Sequence, residues 1–293
     1  MSRSSQRGRK EYTQRGQSSP RRGHRASDKG AKPASERPQV GQRPGTLIMG
    51  RNCVREVLCS KREIVRELYV GMDLDRLQQT SPELLEAMQT AGVHYQIVDM
   101  EYLSALVDSG SHQGVVAAIK DRQHPELKSL IQANMDKERS VVLVLDEMQD
   151  PQNLGTALRA AECFGVDAVV WSRNRGVAIT PVVSKVSVGG SELVTSVPVA
   201  NVVDALRKLK EANYWIVAAE VGAGSQSLFE FEFPGRVALV FGSEGEGLGR
   251  LVREQADYLV HIPQSGKIDS LNVSQAIAVF LAACRQGWTK ASR

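Results

Sequence analysis

The feature that most constrains the fold is an alternation of apolar runs and helical segments that begins at Ser140 and continues to the end of the chain. The apolar runs have the length of strands and read VVLVLD, DAVVW, YWIVAAE, VALVFG and YLVHIP. Runs without polar alternation are typical of strands covered on both faces, as in parallel sheets. Because helical segments separate the runs, residues 140–293 are predicted to form an α/β domain with a doubly wound parallel sheet.

A smaller α/β unit is predicted over residues 46–120. Within SPELLEAMQTAG, Ser81 stands as N-cap, Pro82 at the first helical position and Gly92 at the end, which are three agreeing helix signals. Strand-like runs such as VHYQIV and QGVVAAI surround the predicted helices. Residues 121–139 are polar and mixed, and are predicted to be a linker that contains one helix.

Residues 1–45 have a different composition from the rest of the chain. They hold twelve Lys and Arg against three Asp and Glu, so this tail carries a net charge of +9 within a chain total of +4. Such a segment has almost no aliphatic side chains to bury, and we expect it to be disordered. A basic tail attracts polyanions, but the same composition is equally typical of a solubilising arm without a fixed partner.

The composition also argues against several classes of protein. The chain has no run of 18 apolar residues, so no membrane-spanning helix is predicted, and the tail lacks the apolar segment of a secretory signal. The cysteines show no CxxC and no zinc-ligand spacing, so we expect no metal and no disulfide. They are interpreted as reduced core thiols of a cytoplasmic protein: Cys53, Cys59, Cys163 and Cys284.

Three loops that follow predicted strands have unusual chemistry. EMQDPQNLGTALRAAECFG follows VVLVLD, SEGEGLGRLV follows VALVFG, and QSGKIDSLNVSQA follows YLVHIP. In an open parallel sheet, ligands bind outside the carboxyl ends of strands. We therefore look for a functional site where these loops meet.

The first loop leads into a helix predicted over residues 153–164. Asn153 stands at its start, and Gly155 allows another backbone to come close. Arg159 lies beside the apolar stripe that faces the sheet but does not belong to it. Taken alone, the loop is also compatible with Asn153 as a simple N-cap and Arg159 as a solvated charge.

The second loop, GSEGEGLG, has four glycines in eight residues and places Glu244 among them. It has neither the Walker A sequence nor the GxGxxG spacing, so it does not predict a phosphate cradle. Its glycines allow backbone amides to approach a flat ligand. A flexible turn with a solvated Glu is the alternative.

The third loop leads into the last helix. Either Ser270 or Asn272 is placed to cap that helix, and Asn272 with Gln275 has the spacing of a capping box. Capping explains one of the two residues and leaves the other for another role. The helix that follows is apolar on nearly every side, which favours a subunit interface as well as a core position.

Taken together, NLGTALR, FGSEGEGL and IPQSGKIDSLNVSQA resemble the signature of the SpoU branch of the SPOUT RNA methyltransferases. MGRNCVREVL and SHQGVVAAI are similar to the two ends of that family's substrate-binding domain. The resemblance covers about residues 47–288 and leaves the basic tail outside. One departure is Gln264, where the family commonly has Met after the Pro.

The resemblance implies a trefoil-knotted SPOUT domain, a small α/β RNA substrate-binding domain before it, and a homodimer. It also implies transfer of a methyl group from S-adenosylmethionine to a ribose 2′-hydroxyl, with a guanosine of large-subunit ribosomal RNA as substrate and without a metal. The motifs carry over the cofactor contacts Gly242, Ile262 and Leu271, and the strand end near Ala219 is a further candidate contact. They carry over as the catalytic cluster Asn153, Arg159, Glu244, Ser270 and Asn272.

In the family, the counterpart of Arg159 activates the hydroxyl and acts on RNA that is held partly by the other subunit. An arginine with a pKa above about 12 is a poor general base. Our hypothesis is that Arg159 orients the phosphate and the hydroxyl and stabilises the forming alkoxide, while Asn153 and Glu244 fix its guanidinium.

Two rival functions remain compatible with the sequence. One is a transfer-RNA ribose methyltransferase of the same branch, although the α/β unit over residues 46–120 argues against it. The other is a non-catalytic RNA-binding protein of ribosome assembly, which need not bind S-adenosylmethionine. An unrelated nucleotide-binding enzyme is disfavoured, because the P-loop and dinucleotide-binding spacings are missing.

If the tail binds RNA, removal of residues 1–44 should flatten the salt dependence of RNA binding. Each phosphate that the tail neutralises adds roughly 0.7 to the slope of log affinity against log salt on single-stranded RNA. Binding titrations between low and moderate salt measure this slope for the full chain and the shortened one. A full-length control with the tail's Arg and Lys changed to Gln should match the deletion, whereas an unchanged slope would show that the tail is idle.

Overall fold

The computed structural model of the protein describes residues 45–174, 176–243, 245, 247–268 and 270–291. The tail predicted over residues 1–45 lies outside the described residues except for Gly45, and Glu244 lies outside them as well. The described chain contains one sheet of four strands and one of seven. None of its helices is both long and apolar enough to cross a lipid bilayer.

The four-stranded sheet belongs to the amino-terminal part and has the order β1-β4-β2-β3, with β4 antiparallel to both neighbours and β3 parallel to β2. Helices α1 to α3 pack on one face, and α4 packs on the other. The strands are β1 (Thr46–Met49), β2 (Val65–Val70), β3 (Tyr95–Ile97) and β4 (Val115–Ile119). The helices are α1 (Arg51–Ser60), α2 (Leu74–Thr80), α3 (Pro82–Ala91) and α4 (Met100–Val107).

Helix α3 begins and ends where the sequence predicted. Pro82 occupies its first turn, and Gly92 ends it in the left-handed region at φ 58°. A glycine adopts that conformation without the strain that a Cβ would cause. Ser81 stands at the N-cap position, but its hydroxyl does not cap the helix and instead accepts a hydrogen bond from Arg51 at 3.0 Å.

The seven-stranded sheet has the order β7-β6-β5-β10-β8-β11-β9, and every pair in it is parallel, as predicted. Its strands are β5 (Ser140–Leu145), β6 (Ala168–Ser172), β7 (Ser196–Val199), β8 (Trp215–Ala219), β9 (Gln226–Ser227), β10 (Arg236–Phe241) and β11 (Tyr258–His261). Its helices are α5 (Leu127–Ala133), α6 (Pro151–Cys163), α7 (Pro181–Val186), α8 (Gly190–Leu193), α9 (Val202–Glu211), α10 (Arg250–Arg253) and α11 (Val273–Ala291).

Helices cover both faces of this sheet. Side chains of α6, α7 and α11 form one apolar layer with it, and side chains of α5, α9 and α10 form the other. In β5 and β10 the inner strand residues are all buried, which is why both read as unbroken apolar runs in the sequence. The arrangement brings the loops that follow β5, β8, β10 and β11 to one edge of the sheet.

Helix α6 begins two residues before the predicted start. Asp150 is its N-cap and accepts a hydrogen bond from the backbone N–H of Gln152 at 2.9 Å, and Pro151 follows at the first position. Asn153 is therefore not the cap. It lies in the first turn and is 5% exposed. The short elements β9 and α10 were not predicted, because two to four residues carry too little periodicity to be recognised.

The expectation that all four cysteines are core thiols is wrong for two of them. Cys53 and Cys284 are buried, whereas Cys59 and Cys163 are exposed. Burial raises the pKa of the Cys284 thiol to about 12 and raises the pKa of Cys53 well above its ordinary value. Both buried thiols stay protonated at neutral pH and serve as small apolar groups.

A buried ion pair joins the segment after β4 to the helices of the large sheet. The Glu192 side chain is 1% exposed, and Arg122 donates to it through Nε at 2.9 Å and Nη2 at 2.8 Å. The hydroxyls of Ser184 and Ser191 donate to the same carboxylate at 3.0 and 2.9 Å. Lys61 of the amino-terminal part donates to the backbone oxygen of Glu192 at 2.6 Å. The carboxylate thus accepts from four donor atoms, two of Arg122 and one each of Ser184 and Ser191, and these bonds compensate its desolvation.

Arg122→Ala should lower the free energy of unfolding by about 3–5 kcal/mol, because it leaves Glu192 buried without its counter-ion. Urea denaturation measures the loss. Arg250→Ala is the matched control, since Arg250 pairs with Glu254 on the surface and should contribute at most about 0.5 kcal/mol. Adding Glu192→Gln to the first variant should recover part of the loss. A loss below about 1 kcal/mol for Arg122→Ala would contradict this account of the pair.

Candidate active site

A cavity of about 470 Å³ opens where β8, β10 and β11 end, and the start of α11 closes one side of it. Phe241 and Phe280 belong to its apolar lining and meet edge to face, with ring centroids 5.2 Å apart. All four residues predicted to contact the cofactor line this cavity: Ala219, Gly242, Ile262 and Leu271. The structure therefore brings together residues that lie as much as 52 positions apart in the chain.

Asn272 connects the third loop to the first. Its side-chain Nδ2 donates to Oδ1 of Asn153 at 2.9 Å, while its own Oδ1 accepts from the backbone N–H and the hydroxyl of Ser274 at 2.9 and 2.6 Å. Asn272 is thus the cap of α11 and the partner of Asn153 at the same time. Ser270 does not cap the helix, and both Ser270 and Asn272 line the cavity.

The second loop folds back tightly over the end of β10. Ser243 and Gly247 exchange two backbone hydrogen bonds at 3.1 and 3.2 Å. A Cβ on Gly242 would lie only 2.1 Å from the carbonyl oxygen of Gly247, so no other residue fits at Gly242. Gly247 itself has φ +70°, which also favours glycine. Glu244 lies outside the described part of this loop.

Arg159 is not part of the cavity of its own chain. Its side chain is exposed on α6, and no described residue forms a hydrogen bond or an ion pair with it. Six residues separate it from Asn153, which corresponds to about 9 Å along a helix and a rotation of about 120°. The expected contact between Asn153 and the guanidinium is absent from the described chain, because the helix points the two side chains in different directions.

His261, the last residue of β11, has a hydrogen-bond partner that the sequence does not indicate. It lines the cavity, and its Nδ1 lies 2.7 Å from the hydroxyl of Ser225. Ser225 lies in the loop between β8 and β9, and β9 pairs with β11. The partner was missed because β9 is too short to be recognised in the sequence.

Sequence reasoning also missed Glu220, which lines the cavity directly after Ala219. It stands at the carboxyl end of β8 in the same way as Gly242 follows β10 and Ile262 follows β11. Its place directly after a strand could have pointed to Glu220, but the loop after β8 contains no motif that distinguishes this residue.

The cavity suits a nucleoside-sized ligand. Its volume falls within the roughly 300–1,000 Å³ of small-molecule sites. Its lining combines apolar side chains with backbone from glycine-rich and proline-flanked loops, and it adds the polar groups of Ser270, Asn272 and His261. In the described chain, no cluster of three or more His, Cys, Asp or Glu has the arrangement of a metal site.

Asn272→Ala should destabilise the fold more than Asn201→Ala, although both residues cap a helix. Asn201 accepts from the backbone N–H of Asp204 and caps α9, so its loss should cost about 1 kcal/mol. Asn272→Ala should cost about 1–3 kcal/mol more, because it also leaves the buried amide of Asn153 without its donor.

Denaturant unfolding of both variants measures this difference. Asn272→Ser retains a capping side chain but loses the amide donor, so its stability should lie between that of the wild type and that of Asn272→Ala. Equal losses for Asn272→Ala and Asn201→Ala would mean that the bond to Asn153 adds nothing to stability.

Comparisons with known proteins show which family this chain resembles. The model of the SpoU rRNA Methylase family matches residues 140–282, and the model for RNA 2′-O ribose methyltransferase substrate binding matches residues 47–125. A Salmonella typhimurium protein, 23S rRNA (guanosine-2′-O-)-methyltransferase RlmB, is 37% identical over 80% of this chain and 96% of its own length.

Solved structures show the same fold. The AdoMet-bound rRNA methyltransferase from Sinorhizobium meliloti superposes with a TM-score of 0.64 at 22% identity, covering 83% of this chain and 87% of its own. The SpoU methyltransferase AviRb from Streptomyces viridochromogenes also gives 0.64, at 20% identity, covering 84% and 91%. With two family models matched along the chain and a relative aligned over nearly its full length, the chain belongs to the SpoU rRNA Methylase family.

Proposed function

We propose that this protein is an S-adenosylmethionine-dependent RNA methyltransferase that methylates the ribose 2′-hydroxyl of a guanosine in 23S rRNA. The observation that carries the proposal is that the second and third loops meet at one cavity with the end of β8, while Asn272 of the third loop is bonded to Asn153 of the first. The identity of the substrate is supported by the RlmB relative, whose name states this reaction and which aligns over 96% of its length.

The cavity residues would hold the cofactor mainly through backbone and apolar contacts. Gly242 and Ile262 would contact it from the ends of β10 and β11, Ala219 from the end of β8, and Leu271 from the loop before α11. When bound, the cofactor supplies a methyl group already activated on a sulfonium. What remains for this chain is to align the hydroxyl with that methyl group and to exclude water.

The polar cluster beside the cavity would position the RNA. The bond between Asn153 and Asn272 fixes the relative position of two loops, so a ribose that contacts either amide meets a preorganised surface. Ser270 offers a hydroxyl in the same cavity. Glu244 remains in the proposed cluster on the basis of its motif.

Arg159 would reach the reacting centre of a second subunit. Its exposed side chain has no partner in the described chain, and the helix geometry keeps it away from its own Asn153. In a symmetric dimer, the cavity of one chain can be completed by Arg159 of the other. There it would orient the phosphate and the hydroxyl and stabilise the forming alkoxide.

The remaining parts of the proposal concern the organisation of the chain. We assign RNA docking to residues 46–120, a linker to 121–139 and the methyltransferase domain to 140–293, preceded by the basic tail 1–45. The trefoil knot, the homodimer and the cytoplasmic location also belong to the proposal and rest on the family resemblance. The match of the substrate-binding model to residues 47–125 supports the assignment of docking.

Mapping of ribose methylation in a strain that lacks this protein tests the function. One 2′-O-methylguanosine of 23S rRNA should be absent, and purified protein with S-adenosylmethionine should restore it on that RNA. Transfer RNA from the same strain is the control substrate and should gain no methyl group.

Two results would overturn the assignment in different ways. Methylation of transfer RNA alone would identify a transfer-RNA enzyme of the same branch. Failure to bind S-adenosylmethionine in calorimetry, together with unchanged rRNA methylation, would indicate a non-catalytic assembly protein.

Arg159→Ala should lower the turnover rate by about 10² or more, the cost of losing one donor to a developing negative charge. The cofactor dissociation constant should not change, because Arg159 does not line the cavity. Arg159→Lys should remain slow, since an ammonium cannot replace the planar, bidentate guanidinium. Near-normal turnover with Lys would contradict that role.

Subunit mixing tests whether Arg159 acts across a dimer. Arg159→Ala and Asn153→Ala should each be inactive alone, but co-expressed chains should recover roughly a quarter of wild-type activity, because half of the dimers then contain one intact composite site. If both residues serve the same chain, the mixture should stay inactive.

A further inference from the structure

Glu220 has a carboxylate oxygen that the described protein does not satisfy. Oε1 lies 3.2 Å from Nε of Arg253 in α10. Oε2 is buried, and no described residue donates a hydrogen bond to it. The residue is well anchored, because its backbone N–H donates to the carbonyl of Val260 at 3.0 Å. The same side chain lines the cavity assigned to the cofactor.

A buried carboxylate oxygen without a donor is unfavourable, because it has lost its water and gained nothing in exchange. An apolar residue at position 220 would avoid this cost, because the end of β8 is otherwise apolar. Arg253 accounts for Oε1, and a ligand whose donor groups reach Oε2 when the cavity is filled would account for the other oxygen.

The order of the strands shows which part of the ligand passes Glu220. Strand β8 lies between β10 and β11, so Glu220 lies between the ends followed by Gly242 and Ile262. A ligand that contacts both of these residues must cross the end of β8. In S-adenosylmethionine the sugar connects the adenine to the amino-acid half, so the sugar is the part that occupies the middle.

The charge beside Glu220 argues for the same donor. Arg253 already pairs with Oε1, so an ammonium at Oε2 would lie next to a second positive charge. Neutral hydroxyls meet no such repulsion. Acidic side chains at the carboxyl ends of parallel strands also accept hydrogen bonds from ribose hydroxyls in dinucleotide-binding sheets.

Resting on the proposed function, we propose that Glu220 binds the ribose hydroxyls of the cofactor through Oε2. Arg253 is a positioning residue in this arrangement, because it holds Oε1 and leaves Oε2 for the ligand. The binding of the sugar at the end of β8 thus depends on a side chain, whereas the contacts after β10 and β11 come mainly from backbone.

Calorimetry with S-adenosylhomocysteine, the demethylated form of the cofactor, tests the assignment without any turnover. Glu220→Ala should weaken binding by roughly 10- to 100-fold, the range expected for losing hydrogen bonds to a charged acceptor. With the 2′-deoxy and 3′-deoxy forms of the ligand, wild type should bind more weakly, and at least one form should reduce the effect of Glu220→Ala to about twofold or less.

Two further variants guard against a folding artefact. Glu220→Gln keeps the shape of the side chain, and its melting temperature without ligand should equal or exceed that of wild type, since an unsatisfied charge has been removed. Its ligand-induced shift in melting temperature should be smaller than that of wild type. Arg253→Ala should weaken binding, whereas Arg250→Ala on the same helix should leave it unchanged.

The outcomes separate this inference from the proposed function. If wild type binds S-adenosylhomocysteine and Glu220→Ala binds it equally well, only the inference is overturned. The same holds if the loss in Glu220→Ala is fully retained against both deoxy ligands, because the donor would then lie elsewhere on the cofactor. If wild-type protein does not bind S-adenosylhomocysteine at all, the proposed function itself is overturned.

Discussion

One side chain, that of Asn272, links two loops of the candidate site and caps the last helix. The amide of Asn272 donates to that of Asn153 across 119 residues of sequence, and the same Asn272 caps the helix that packs against α6. Loss of the Asn272 side chain would remove both the link between the third loop and the first and the cap of α11. The Asn272 side chain therefore couples the start of the last helix to the shape of the cavity that Asn272 lines.

Much of the fold could be predicted because its strands are buried on both faces. β5 and β10 contain no polar residue between their ends, so a parallel sheet was the natural interpretation of their apolar runs. Helix α3 was predicted with its ends because Pro82 and Gly92 have local conformational requirements. Gly242, Ile262 and Leu271 could be named because they belong to family motifs, and Ala219 because it ends a strand; all four line one cavity.

The remaining features depend on tertiary contacts that leave no periodic signal. The partner of His261 lies in a loop beside the two-residue strand β9, and the exposure of Cys59 and Cys163 follows from which helix faces meet neighbours. Glu220 was overlooked because a single acidic residue after a strand resembles any solvated charge. Only the three-dimensional surroundings distinguish it, since burial of one carboxylate oxygen cannot be read from composition.

The ion pair between Arg122 and Glu192 has a consequence for how such chains evolve. The carboxylate belongs to the large sheet's helices, and its counter-ion arrives from the segment that follows the small sheet. A recombinant in which the small sheet was exchanged together with the segment that carries Arg122 would bury a bare anion unless the incoming piece brought its own cation. Exchange of modules between relatives should therefore succeed only at crossover points that keep this arginine with its glutamate.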